Sequence, residues 1–161
     1  MLSALTALHV MLSVIGILTG FVVVAGFIRS RRQVAWTKWF LTTTVLTSVT
    51  GFLFPFHGFT PGIVVGIVSI AVLAVAAFAW SRRDTEQPWS GTFAVTSIIA
   101  QYLNVFVLVV QLFEKVPTLR ALAPSQSEPP FQIAQVAVLL TFIALGVLSV
   151  KGSRRVTPVA A

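Results

Sequence analysis

A chain of 161 residues that is 57% hydrophobic and only 9% charged, with a mean hydropathy of +0.95, is not a soluble globular domain, where about a quarter of residues are charged. The net charge of +7 argues against a nucleic-acid partner here, because the cations sit in short loops between apolar runs, where they set topology and meet anionic headgroups. The absence of cysteine removes disulfides, thiolate nucleophiles, Cys-ligated zinc and iron–sulfur clusters together.

Five apolar stretches follow one another, each long enough to cross a hydrocarbon core of about 30 Å as a helix. Strands are excluded, since backbone polar groups in lipid must be satisfied within the segment. The first span is predicted over 5–28. Met1 to Val10 carry no Lys or Arg, so an uncleaved helix with its N-terminus outside is expected. Thr6, His9, Ser13, Gly16 and Gly20 recur at intervals of three and four and share one face. Ser13, Gly16 and Gly20 suit a close helix–helix contact. His9 on the same face points into the bundle, where it either packs or ligates haem or a metal, or bonds a quinone carbonyl.

Arg29, Arg31, Arg32 and Lys38 follow. The second span is predicted over 36–54 and is rich in Thr and Ser, whose hydroxyls either bond the preceding turn or line a polar path through Thr43, Thr47 and Thr50. Pro55 should end it, and His57 and Gly58 lie in the turn beyond, so His57 is either solvated or a second haem or metal ligand. Thr60-Pro61 reads as an N-cap with proline at the first helical position of a third span, 61–80.

Arg82 and Arg83 lead, past Asp84 and Glu86, to a fourth span at 92–113, with Ser90 as its expected cap. Gln101, Asn104 and Gln111 form a polar stripe on it, with Glu114 three residues further and Tyr102 alongside. Amides facing lipid are costly, so the stripe should face other helices. The connection 114–130 contains a six-residue segment, Pro117 to Leu122, suited to a short interfacial helix. Ser127 is the expected cap of a fifth span at 131–150, with Pro129 and Pro130 in its first turn and Glu128 facing its positive end. Gln132 and Gln135 sit in its first turns. Residues 156–161 read as a disordered tail.

Nine of the eleven basic residues fall in the clusters after the first, third and fifth spans, and only Lys115 and Arg120 fall elsewhere. Lys and Arg collect on the cytoplasmic side, which predicts the N-terminus outside and the C-terminus inside. Trp36, Trp39, Trp80 and Trp89 fall at the same predicted cytoplasmic ends, as interfacial rings should.

The runs LTTTVLTSVTGFLFPFHGFTPGIVVGIVSI and YLNVFVLVVQLFEKVPTLRALAPSQSEPPF resemble those of an uncharacterised family of small multi-pass bacterial inner-membrane proteins. The resemblance implies a bacterial cytoplasmic-membrane location and supplies no catalytic residue.

The reading is an all-α, polytopic bundle, one domain over 1–155 with five transmembrane helices. No Asp or Glu lies inside a predicted span, Lys38 is the one Lys or Arg within those bounds and stands at the cytoplasmic end of its span, and no phosphate loop, HExxH or GxSxG occurs, which leaves nothing to support an enzyme. The function expected is a non-enzymatic accessory subunit or small-ligand module. Its candidate site near the outer leaflet comprises His9, Asn104, Gln111, Glu114, Gln132, Gln135 and His57. No cofactor is the first expectation. Haem b or a quinone bound through His9 and His57 is the alternative, and an oligomeric channel a weaker one. The expected partners are the lipid bilayer and other membrane subunits or further copies of the chain.

Overall fold

The computed structural model describes residues 2–55, 61–83 and 87–155. Six helices follow in order: α1 (Leu2–Ile28), α2 (Val34–Gly51), α3 (Pro61–Arg82), α4 (Gln87–Lys115), α5 (Pro117–Leu122) and α6 (Pro129–Ser153). Among the described residues there is no strand. Four of the helices, α1, α3, α4 and α6, are long and apolar enough to cross a membrane. Helix α2 is 18 residues long, but Lys38 and its run of threonines dilute its apolar character. The segment Pro117–Leu122 is a short helix, with proline in its first turn.

The long helices form a ring in the order α1, α2, α3, α4, α6, and α1 and α4 touch across it. Side-chain contacts give the directions. His9 meets Thr50, Gly16 meets Thr43 and Thr44, and Gly20 meets Phe40, so α1 and α2 run antiparallel. Ile98 lies beside Gly146 and Tyr102 beside Phe142, so α4 and α6 are antiparallel as well. Gly152 presses on the backbone of Phe27 and Ile28, which brings the C-terminal ends of α1 and α6 together.

Two apolar clusters fill the centre. Val23, Phe40, Leu73 and Ala100 join α1 to α4 through α2 and α3, and Val24, Ile98 and Phe142 join α1, α4 and α6. The outward faces are apolar too: Leu18 is 62% exposed, Leu140 60% and Ile133 68%, which lipid tolerates and water does not.

Helix α1 stops in a Schellman motif. The Arg31 N–H donates to Gly26 O at 2.8 Å and the Ser30 N–H to Phe27 O at 3.0 Å, with Ser30 at φ 53° in the left-handed region that glycine usually fills. The Ser30 hydroxyl donates to Gly152 O at 3.0 Å, a bond that helps hold this uncommon conformation.

Several helix ends differ from the sequence expectation. Helix α2 ends at Gly51 rather than Phe54, because Phe52 to Phe54 already form a turn ahead of Pro55. Helix α4 begins at Gln87, so Ser90 lies inside it, and its hydroxyl reaches Ser153 O at 3.4 Å instead of capping. The N-cap of α6 is Glu128 rather than Ser127, and it caps without a side-chain bond to the helix. Its carboxylate turns back to accept from the Ser125 N–H and hydroxyl and the Ser127 N–H, at 2.8 to 3.1 Å. The Ser125 hydroxyl is the main cause holding that carboxyl below the usual range. Thr60, His57 and the tail 156–161 lie outside the described residues.

Candidate functional site

The largest fully buried polar side chain among the described residues is that of Gln101. Its side chain is fully buried, and its Nε2 donates to the α1 carbonyl of Ile17 at 2.8 Å. Gly20 makes this possible: a Cβ there would collide with the Gln101 Oε1 and come within 2.9 Å of the Phe40 ring. One turn along α4, the Asn104 Nδ2 donates to the Thr44 hydroxyl of α2 at 3.3 Å. Thr43 and Thr44 in turn present their hydroxyls to Gly16, 3.3 and 3.2 Å from where its Cβ would stand. Two glycines one turn apart thus let α2 and α4 bring polar side chains against the backbone of α1.

Three hydroxyls of α2 bond its own backbone. Thr43, Ser48 and Thr50 donate to carbonyls four residues back at 2.7 to 3.0 Å, as Ser13, Thr19 and Thr96 do on α1 and α4. This internal bonding makes a threonine-rich helix compatible with an apolar surrounding. Of the set Thr43, Thr47 and Thr50, it engages Thr43 and Thr50, and the Thr47 Oγ1 has no partner among the described residues.

His9 sits at the far end of the α1–α2 seam. Its Nδ1 lies 3.0 Å from the Thr50 hydroxyl, and its ring stands edge-on to Phe54 at 5.4 Å. The single proton of Thr50 is engaged by backbone carbonyls, Leu46 O at 2.8 Å or Thr47 O at 3.1 Å. With the Thr50 proton on a carbonyl, the hydroxyl accepts from Nδ1 in the tautomer that leaves Nε2 its lone pair. Its proposed companion His57 lies outside the described residues.

Of the remaining candidates, only Gln111 and Glu114 bond each other among the described residues. Gln111 donates to Glu114 on its own helix at 3.4 Å. Gln132 donates to Ser127 O at 2.7 Å, and Gln135 crosses to Phe106 O of α4 at 3.3 Å. Gln111, Gln132, Gln135 and His9 thus each make a separate bond. Gln126 is an addition: at φ 57° in the loop, it donates to Val110 O at 3.2 Å and ties the 116–128 segment to α4.

Two features escaped sequence reasoning. Gln101 was visible as the start of the stripe, but its partner is a main-chain carbonyl, which no side-chain pattern marks. The C-terminal turns of α6 carry a small-residue face, Ser149, Gly152 and Ser153, all buried against α1 and α4. Its signal was the spacing of three between Ser149 and Gly152. Five buried side-chain atoms have no hydrogen-bond partner among the described residues: Thr47 Oγ1, Ser97 Oγ, Gln101 Oε1, Gln135 Oε1 and Ser149 Oγ. They are spread over three helices, α2, α4 and α6. Among the described residues, no three His, Asp or Glu side chains come together as a metal-holding group.

Comparison with family models, with curated proteins and with solved structures returns no match.

Proposed function

We propose that the chain is a five-span protein of the bacterial cytoplasmic membrane, N-terminus outside and C-terminus inside, serving as a non-enzymatic accessory subunit of a larger membrane assembly. The observation that carries this reading is the use made of polar groups. Gln101, Asn104 and Gln135 bond across helix boundaries, and Gln111 and Gln132 bond locally, so these side chains hold the chain's own structure together instead of facing an open site. A fifth crossing by α2 is supported by its contact with α1 from Gln33 to Thr50 and by the bonds of Thr43, Ser48 and Thr50 to its own carbonyls. Apolar outer faces then meet lipid and neighbouring subunits alike.

The test is mild solubilisation of the full chain from its own membrane. The expected result is a colourless protein migrating on a native gel well above the size of a 17.4 kDa chain with its micelle. Migration as a lone monomer would overturn the accessory reading.

A second reading rests on His9. Its Nδ1–H is held by Thr50, which leaves Nε2 as a donor of the kind that ligates haem iron. A Soret band in the same preparation, lost in His9→Ala, would favour this reading over the first.

A further inference from the structure

We propose that the groove between α4 and α6 binds one acyl chain of an anionic phospholipid, with the lipid phosphate against Lys151 and Arg154. The groove holds about 550 Å³ and opens to the outside of the bundle. Its walls are apolar, Ile98 and Tyr102 from α4 facing Phe142 and Gly146 from α6, and its rim carries the two cations. Gly146 makes the room: nothing but the Ile98 methyl comes near where its Cβ would be, at 3.5 Å.

Two arguments select the occupant. The first is depth. From Leu139 to Lys151 the groove follows twelve residues of α6, about 18 Å of helix. Half of a hydrocarbon core is about 15 Å, so the groove runs from one headgroup level to near the bilayer centre, the reach of a single lipid chain. The second is charge. Lys151 and Arg154 are exposed, and among the described residues no carboxylate pairs with either. Ser149, Gly152 and Ser153 turn toward α1 and α4, so the intervening Lys151 and the following Arg154 turn to the groove. Two cations without a carboxylate partner among the described residues, at the headgroup end of an apolar slot, match a phosphate with its hydrocarbon tail, and a purely apolar ligand would leave them unused.

The inference rests on the reading that α4 and α6 span the bilayer. Retention of the chain in alkali-washed membranes checks that reading alone, and release there would defeat it regardless of lipid binding. The lipid test is native mass spectrometry of the detergent-purified full chain, titrated with phosphatidylglycerol or phosphatidylcholine. Wild type should retain phosphatidylglycerol in preference. Each basic side chain near an anionic headgroup is worth about fivefold in affinity, so Lys151→Gln with Arg154→Gln should weaken phosphatidylglycerol about 25-fold and leave phosphatidylcholine unchanged. Val147→Trp, at a half-exposed position in the groove, should weaken both lipids. Arg31→Gln with Lys38→Gln removes equal charge elsewhere and should change neither. Equal affinity in wild type and the Lys151/Arg154 variant would overturn the proposal. So would an equal loss in the Arg31/Lys38 variant, which would mark a general charge effect, or unaltered binding by Val147→Trp.

Discussion

At the scale of single residues, this bundle is organised around what glycine omits. Gly20 sits where any side chain would displace the Gln101 amide, and that amide is fully enclosed with only one hydrogen bond, to Ile17 O. Gly20→Ala must push the amide off its acceptor and strain the Phe40 contact, with an expected cost of about 1–3 kcal/mol from the lost buried bond and the crowding. Gln101→Ala removes the bond and leaves a cavity, with a cost of similar size. The two should be strongly less than additive, because the methyl added at position 20 fills space that the glutamine side chain no longer occupies. Thermal unfolding of the two single variants and the double variant in detergent measures this. Additive losses would show that Gly20 and Gln101 do not share a contact. The polar stripe itself was legible in the spacing of Gln101, Asn104 and Gln111. The partner of Gln101 was not, because Ile17 O is a main-chain acceptor of a kind present at every position, and only the register of packed helices selects it; Asn104 and Gln111 bond side chains, Thr44 and Glu114.

At the scale of helices, apolar length was enough to find the long elements, and proline to find the start of α3 and the short α5. The ends were harder. Ser90 and Ser127 have the chemistry of caps, yet one lies three residues inside α4 and the other yields its place to Glu128, because other partners, Ser153 O for the Ser90 hydroxyl and the neighbouring Glu128 carboxylate for the Ser127 N–H, compete for them. The same competition hides the α1–α6 seam, where a backbone surface receives small residues. A Cβ on Gly152 would collide with the Phe27 carbonyl oxygen and approach its carbon at 2.9 Å and Ile28 O at 3.1 Å, all of them backbone atoms that cannot rotate away. Gly152→Ala should therefore separate the C-terminal ends of α1 and α6 and lower stability by about 1–3 kcal/mol. Gly91 is the control, a helical glycine with nothing within 4 Å of its would-be Cβ. Gly91→Ala should stabilise α4 by about 0.5–1 kcal/mol through lower backbone entropy in the unfolded chain. Melting temperatures that fall in the first variant and rise in the second are the expected outcome; equal behaviour would mean that the seam is loose.

At the scale of the whole molecule, the placement of charge offers the strongest handle on orientation. The clusters at Arg29 to Lys38, Arg82 to Arg83 and Lys151 to Arg155 are far apart in sequence, yet bonds from Ser30 to Gly152 O and from Ser90 to Ser153 O draw the helix ends that bear them together. Rings gather there as well, with Trp80 against Phe93 at 5.0 Å, Phe78 against Trp89 at 5.1 Å, and the Arg83 guanidinium 3.3 Å above Trp80. A basic, tryptophan-bearing end is the one a bacterial membrane retains in the cytoplasm, and the opposite end carries Glu114, Glu128, Lys115 and Arg120 in near balance. The orientation follows if each long helix crosses once, and α2 is the helix on which that condition hangs, since its threonines make it the least apolar. Three single cysteines in this cysteine-free chain separate the possibilities: Arg31→Cys before α2, Leu53→Cys just after it, and Ser125→Cys in the loop ahead of α6. Treated with an impermeant thiol reagent on intact cells, positions 53 and 125 should label, and position 31 should label only after the membrane is opened. Labelling at 31 with protection at 53 and 125 would invert the molecule. Positions 31 and 53 reacting alike would mean that α2 folds back without crossing, leaving four spans and both termini on one side.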